Sequence, residues 1–178
     1  KVAEKSISVS SADWKTVKTT FKASKDAAAA RLVIAPQNVG TVEMDMISLF
    51  PRKTFKNRKN GLRADLAQVI ADMKPKFVRF PGGCAAHGNG LDNMYLWKRS
   101  IGKLEERQHM PNIWNYHQTL GLGYYEYFQF CEDLNAEPLP VVSAGTVCQI
   151  KGNACIPLDK MPAYIDEVLA LIEWANGD

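Results

Sequence analysis

The stretch FVRFPGGC, residues 77–84, decides the fold. Phe77 to Phe80 is an apolar run of strand length, too short for a helix, and Pro81-Gly82-Gly83 ends it in a sharp turn. Before it, Leu62, Leu66, Val69, Ile70 and Met73 recur at helical spacing. After a long loop, Tyr124, Tyr127, Phe128, Cys131 and Leu134 do so again. A second apolar run, Pro140 to Ala144, ends at Gly145. Met161, Tyr164, Val168, Leu171 and Ile172 then form a third helical pattern, with Asp159 as its expected cap. The order helix, strand, helix, strand, helix predicts an α/β unit with parallel strands.

Working outward, residues 1–50 read as strands: Val2 to Val9, Trp14 to Ala23, Ala29 to Ala35 and Thr41 to Phe50, separated by the turn-rich SSAD, ASKDA and PQNVG stretches. Four such strands predict part of an antiparallel β-sandwich, whose core needs two facing sheets. Trp14, the one tryptophan in this part, is expected to be buried. The expected organisation is residues 1–52 as the last strands of a sandwich and residues 53–178 as the α/β part, with KTFKNRKNG, residues 53–61, as linker.

Composition excludes several classes of function. A chain of 178 residues holds one domain or two small ones, and 46% hydrophobic with 23% charged residues is ordinary for a globular chain. No apolar run approaches the ~20 residues of a membrane span. The net charge of +3, from 22 basic and 19 acidic residues, is too weak to indicate a nucleic-acid partner. The one basic cluster, Lys53, Lys56, Arg58, Lys59 and Arg63, reads as a solvated loop. Four cysteines without a CxxC pair suggest neither a disulfide scaffold nor a zinc site. Cys131 falls in a helical pattern and is expected to be buried, whereas Cys148 and Cys155 flank Gly152 and can pair if the compartment is oxidising. The chain does not begin with Met and shows no signal peptide, so an internal segment of a longer protein is expected.

In parallel α/β folds ligands meet the carboxyl ends of strands. Here those ends are RFPGGCAAHG, from Arg79, and VVSAG, from Val141. Arg79 and Phe80 point to opposite sides of their strand. An arginine in such a strand is either salt-bridged in a core or aimed at a polar ligand. The glycines permit close backbone approach, but GxGxxG and GxxxxGK[ST] are both absent, and no cofactor is implied. Ser143 either serves a ligand or fills a small core position. The loop from Pro81 to Leu120 carries Tyr95, Trp97, Trp114, Tyr116, His87, His109 and His117. Aromatic faces among polar groups suit sugar rings, or they pack a cap over the fold. The histidines lack metal-ligand spacing. Glycoside hydrolysis needs two carboxylates, and neither strand end supplies one. Glu126, Glu132, Asp133, Glu167 and Glu173 read as solvated helix faces, and Glu105 and Glu106 lie in the loop. The residues describe a binding wall without a catalytic pair.

Beyond these readings, ISLFP (47–51), TFKNRKNGLRADLAQVIADMKPKFVRFPGGC (54–84), WKRSIGKLEER (97–107), NYHQTLGLGYYEYFQFCEDLNAEPLPVVSAG (115–145) and ALIEWANGD (170–178) resemble family 51 glycoside hydrolases, the α-L-arabinofuranosidases. The resemblance is continuous over about residues 41–178. It implies a partial (β/α)8 barrel, a retaining mechanism, and release of terminal arabinofuranose from arabinose-containing oligo- or polysaccharides. It also implies that the acid/base and nucleophile glutamates lie beyond Asp178, so this chain alone would be inactive. Arg79, Cys84 and Trp114 match positions that bind substrate in the family. Ala86-His87-Gly88 and Ser143 depart from its pattern, which bears on fine substrate preference. Secretion or export to the periplasm would suit such an enzyme. The readings that compete with an enzyme fragment are a non-catalytic carbohydrate-binding module and a phosphate-binding α/β domain. An open piece of barrel would expose strand edges, so association or strand exchange between copies is expected.

Overall fold

The computed structural model describes residues 1–177 and divides into two compact units, Lys1–Met44 and Asp45–Asp178. In the first, the four expected strands are not formed: none of residues 1–50 belongs to a strand or helix. A backbone ladder joins no pair of these segments, and the long-range backbone bond described there runs from the Ser24 N–H to the Val2 carbonyl. Alternating apolar residues hold a strand only when a neighbouring strand pairs their backbone and a facing layer covers them. Neither condition is met here. Trp14, expected to be buried, is 73% exposed, and Val33 is 75% exposed.

The second unit is mixed α/β. Its elements are α1 (Ala64–Asp72), β1 (Phe77–Phe80), α2 (Gly83–His87), β2 (Met110–Pro111), β3 (His117–Gln118), α3 (Tyr124–Leu134), β4 (Glu137–Pro140) and α4 (Met161–Asn176). β1 and β4 form a two-stranded parallel sheet with Phe77 opposite Glu137 and Phe80 opposite Pro140, and β2 and β3 form a small antiparallel hairpin. The long loop after β1 is therefore not structureless. It holds α2, three short 3₁₀ turns and the hairpin.

The second strand lies three residues earlier than its hydropathy predicts. Backbone parity explains the shift. Glu137 N–H donates to the Lys76 carbonyl and Val141 N–H to that of Phe80, so residues of odd number face β1. Pro138 and Pro140, which have no N–H, fall on the opposite edge, where a ladder does not need them. The proline-bearing segment can thus pair with β1 despite its composition.

α3 is held at both ends. The Glu126 carboxylate accepts the Gly123 N–H at 3.0 Å, and Asn135 closes the helix in the left-handed region at φ 53°. Gly123 is required because a Cβ there would overlap the Ser100 carbonyl. Tyr124, Tyr127 and Cys131 form the buried stripe of α3 and join Tyr95, Trp97, Leu120 and Leu171 in the core. Phe80 of β1 stacks on Tyr127 at 4.9 Å and meets Tyr95 and Tyr124 edge-on. Asp159 does not cap α4. The helix starts after Lys160 without a side-chain cap, and Gly177 ends it in the left-handed region.

Residues 53–61, expected as a linker, are packed. Thr54 bridges to Arg63, Phe55 is buried against the edge of Phe130, and Arg58 reaches α3, donating to Asp133 and to Glu132. Arg63 likewise pairs with Asp65 at 2.6 Å. Two members of the basic cluster are thus spent on ion pairs. The acids of α3 and α4 were expected to be free in solvent, but several are partners. Glu126 binds the buried Arg107, Asp133 binds Arg58, and Glu167 binds Lys98.

Candidate functional site

The site is built where β1 and β4 end side by side. Three tyrosine hydroxyls hold these ends. Tyr127 donates to the Val78 carbonyl at 2.7 Å, Tyr124 to that of Val141 at 2.9 Å, and Tyr164 of α4 to that of Ser143 at 2.8 Å. Burial pushes all three phenols above their ordinary range, so they remain neutral donors. Tyr95, packed beside them, is pushed up to about 12, again chiefly by burial.

With Phe80 committed to the helix layer, strand alternation turns Arg79 to the other face. Arg79 is exposed and has no hydrogen-bond or ion-pair partner among the described residues. Its guanidinium folds toward the turn that follows: a Cβ at Gly82 would lie 3.6 Å from one terminal nitrogen, and one at Gly83 would lie 3.8 Å from the other. Gly82 has φ +110°, a conformation only glycine takes without strain. Of the two roles open to Arg79, a core salt bridge is not the one realised.

Cys84, in the first turn of α2, is half-buried beside Cys148 from the loop after β4. The Cys148 thiol beside it, and then burial, push the Cys84 thiol up; the Cys148 thiol itself donates to the Gln149 side-chain oxygen at 3.5 Å. All four cysteines are free. The segments of Cys148 and of the exposed Cys155 also meet, through the Val147 N–H to the Ala154 carbonyl, without a disulfide between them. Cys131 is buried, as its place in α3 predicts. Ser143 is buried in a turn. Its hydroxyl accepts the N–H groups of Gly145 and Thr146 at 3.1 Å each and donates to the Thr146 carbonyl. Its role is structural.

Trp114 is carried on a different element, the turn joining β2 to β3. It is 53% exposed and lies nearly parallel to the exposed Tyr116, with ring centroids 6.4 Å apart. Asn112, itself buried, shapes this turn by accepting the N–H groups of Trp114 and Tyr116 on one side-chain oxygen, while Asn115 sits at φ 64°. Trp97 has the opposite fate. It is buried against Trp174, and its indole N–H donates to the Glu167 carbonyl. Asn93 ties the hairpin to the loop after α2, accepting the Asn89 N–H and donating to the Pro111 carbonyl. Between them lies a polar recess lined by Asn89, Asp92, Asn93, Arg99, Gln108 and His109. Of its lining, Asn89 Oδ1 is buried without a partner; so, elsewhere among the described residues, are His87 Nδ1, Tyr95 OH and Asn112 Nδ2.

Sequence reasoning missed Tyr116 as the companion of Trp114, and it missed Asn112. The signal was available in PNIWNYH, where two asparagines flank the tryptophan at turn-forming positions. Chemically, the arrangement offers an unpaired guanidinium, a glycine turn, amide and imidazole groups, and an aromatic face. Such groups are of the kind that polyhydroxylated ligands need, and among the described residues they include no pair of free carboxylates.

Comparison with known proteins fits this geometry. The profile described as the alpha-L-arabinofuranosidase 1 domain matches residues 69–178. An extracellular exo-α-L-arabinofuranosidase of Streptomyces chartreusis is 43% identical over 175 residues, covering 92% of this chain and 21% of its own length. Alpha-L-arabinofuranosidase 1 of Arabidopsis thaliana is 36% identical, over 93% of this chain and 24% of its own. Among solved structures, the arabinose-bound MgGH51 α-L-arabinofuranosidase superposes with a TM-score of 0.64 at 39% identity, over 67% of this chain and 19% of that one. The chain spans about a fifth to a quarter of the length of the curated relatives it matches.

Proposed function

The chain belongs to the α-L-arabinofuranosidase 1 domain family, within the family 51 glycoside hydrolases, and from that premise we propose that it forms one wall of the arabinose site of a retaining α-L-arabinofuranosidase. In this reading β1, β4 and their helices are part of a (β/α)8 barrel over residues 53–178, and residues 1–52 are the last strands of a sandwich that close only against further polypeptide. Arg79 orients the sugar, Cys84 lines its pocket, and Trp114 with Tyr116 faces the chain it leaves. The substrate is a terminal arabinofuranosyl group on an arabinose-containing oligo- or polysaccharide.

The single observation that carries the proposal is the exposed Arg79 guanidinium, unpaired over a glycine turn at the end of β1, inside the region that matches the family. Retention of configuration needs two carboxylates roughly 5–5.5 Å apart, one as nucleophile and one as acid then base. Of the acids on α3 and α4, Glu126, Asp133 and Glu167 are engaged instead in ion pairs with Arg107, Arg58 and Lys98, and the recess itself offers a single acid, Asp92. The catalytic glutamates are therefore proposed to come from polypeptide outside these 178 residues. Export from the cell is also proposed, in line with the relative named extracellular.

The test is release of an aryl leaving group from its α-L-arabinofuranoside, measured for this chain and for a longer protein containing it. The longer protein is expected to be active, and Arg79→Ala within it to lower kcat/KM by about 10²-fold. This chain alone is expected to be inactive. Hydrolysis by the chain itself would overturn the assignment of the acids. A second reading, an independent carbohydrate-binding module, gains support from Trp14, whose 73% exposure leaves an aromatic face free. Retention of this chain on insoluble arabinoxylan, lost on Trp14→Ala, would favour it.

A further inference from the structure

We propose that Cys84 and Cys148 are a redox-sensitive pair that closes into a disulfide, locking the start of α2 to the loop after β4. The inference is independent of the sugar-binding reading. It rests on the way parallel strands deliver their loops. β1 and β4 end in register, Phe80 opposite Pro140, and the ladder continues through the Val141 N–H to the Phe80 carbonyl. The loops leaving them therefore start as neighbours. They are fastened again at Gly88, whose N–H donates to the Cys84 carbonyl and whose own carbonyl accepts the Cys148 N–H. Only glycine fits at residue 88, because φ +69° and the Asn93 backbone leave no space for a side chain. The two cysteines are thus carried side by side on backbone joined through Gly88.

The other two cysteines differ, although the segment of Cys155 is bridged to that of Cys148 at Thr146. Cys131 is buried in the α3 stripe, and the exposed Cys155 directs its sulfur to the Asn153 carbonyl at 3.6 Å. Cys148 is fully buried while Cys84 is half-buried, which sets the order of events. An external small-molecule disulfide meets Cys84 first. The Cys84 thiolate attacks it, forms a mixed disulfide and expels one thiolate. The Cys148 thiolate then attacks the Cys84 sulfur and expels the second. Two protein thiols lose two protons and two electrons, and the oxidant leaves as two thiols. The neighbouring Cys148 thiol, with burial, holds the Cys84 thiol up and makes the first step slow near neutral pH and faster as pH rises.

The experiment uses the full chain, purified reduced and then incubated with oxidised glutathione. Thiols are counted, and the unreduced protein is digested for mass mapping. Titratable thiols are expected to fall from four to two, with a peptide joining Cys84 to Cys148 and a mass lower by two hydrogens. Cys155→Ser should keep the cross-link and Cys84→Ser should abolish it. Cys84 is half-buried, so its serine variant is expected to fold, and its far-ultraviolet circular dichroism checks that. Four free thiols after oxidation, a Cys148–Cys155 peptide, or a lasting glutathione adduct on Cys84 would each overturn the proposal.

Discussion

Replacing Arg107 by Met should cost more stability than any other single loss of charge in this molecule. The Arg107 side chain is 2% exposed and spends its donors fully. Two reach the Gly102 carbonyl at 3.2 and 2.8 Å, one reaches the Leu120 carbonyl at 2.8 Å, and a fork to Glu126 spans 2.8 and 2.9 Å. Methionine keeps much of the stem volume. It strands the Glu126 carboxylate and two carbonyls at once. Removing one partner of a buried pair costs about 3–5 kcal/mol. The Glu126 side chain is 22% exposed and still caps the Gly123 N–H, so the lower end, about 3 kcal/mol, applies. With a urea slope of about 1.5 kcal/mol per molar, the midpoint should fall by roughly 2 M. Adding Glu126→Gln to Arg107→Met keeps the cap acceptor and removes the stranded charge, so it should recover about half of that loss. Urea melts followed by circular dichroism measure both. A midpoint shift below about 0.4 M, or no recovery in the double variant, would refute the claim that this pair holds the loop to α3.

Gly123→Ala should be severely destabilising, beyond the ordinary helix gain from alanine, because its Cβ meets the Ser100 carbonyl rather than a movable side chain; a thermal melt equal to that of the parent would refute this. Stability should fall as pH rises above 10. Tyr95, Tyr124 and Tyr127 have folded pKa values raised above the unfolded value of about 10, so their contribution is complete below that pH and is lost as pH climbs toward the folded values, about 12 for Tyr95. Tyrosinate absorbance followed beside circular dichroism should show these three ionising only as the fold is lost. The chain should also self-associate through the outer edge of β1, where Phe77 and Arg79 face away from β4. Light scattering that gives a monomer across micromolar concentrations would contradict this.

The helices were legible because apolar residues at helical spacing need no distant partner to be recognised, and α1, α3 and α4 lie on those patterns. β1 was legible because Pro81 closes it. β4 was not, since hydropathy favoured Pro140–Ala144, while hydrogen-bond parity tolerates prolines at 138 and 140 only on the edge away from β1. The alternation in residues 2–50 is plain in the sequence, but without a facing layer it forms no ladder. The acids of α3 looked solvated because their partners are remote in sequence. Arg107 lies 19 residues from Glu126, and Arg58 lies 75 residues from Asp133. In the candidate site, strand alternation alone turned Arg79 away from the aromatic core. No local signal separated exposed Trp114 from buried Trp97, because α4, through Trp174 and the Glu167 carbonyl, decides that difference.

The same aromatic core accounts for the precision of the wall it supports. Tyr127, Tyr124 and Tyr164 come from two different helices; Tyr127 ends on the Val78 carbonyl within β1, and Tyr124 and Tyr164 end on those of Val141 and Ser143, just beyond β4. A buried carbonyl facing only apolar side chains would be left unpaired at a cost of about 1–3 kcal/mol. Phenols in place of phenylalanines at 124 and 164 remove that penalty where the ladder runs out of partners, and Tyr127 adds a donor within it. They also fix the backbone from which Arg79 and the glycine turn project. An exposed arginine on mobile backbone would give up much of its binding energy to ordering. Here the strand ends are held from the opposite side of the sheet, so the guanidinium's remaining freedom lies in its own side chain. The helix layer thus does part of the site's work without contributing an atom to its surface.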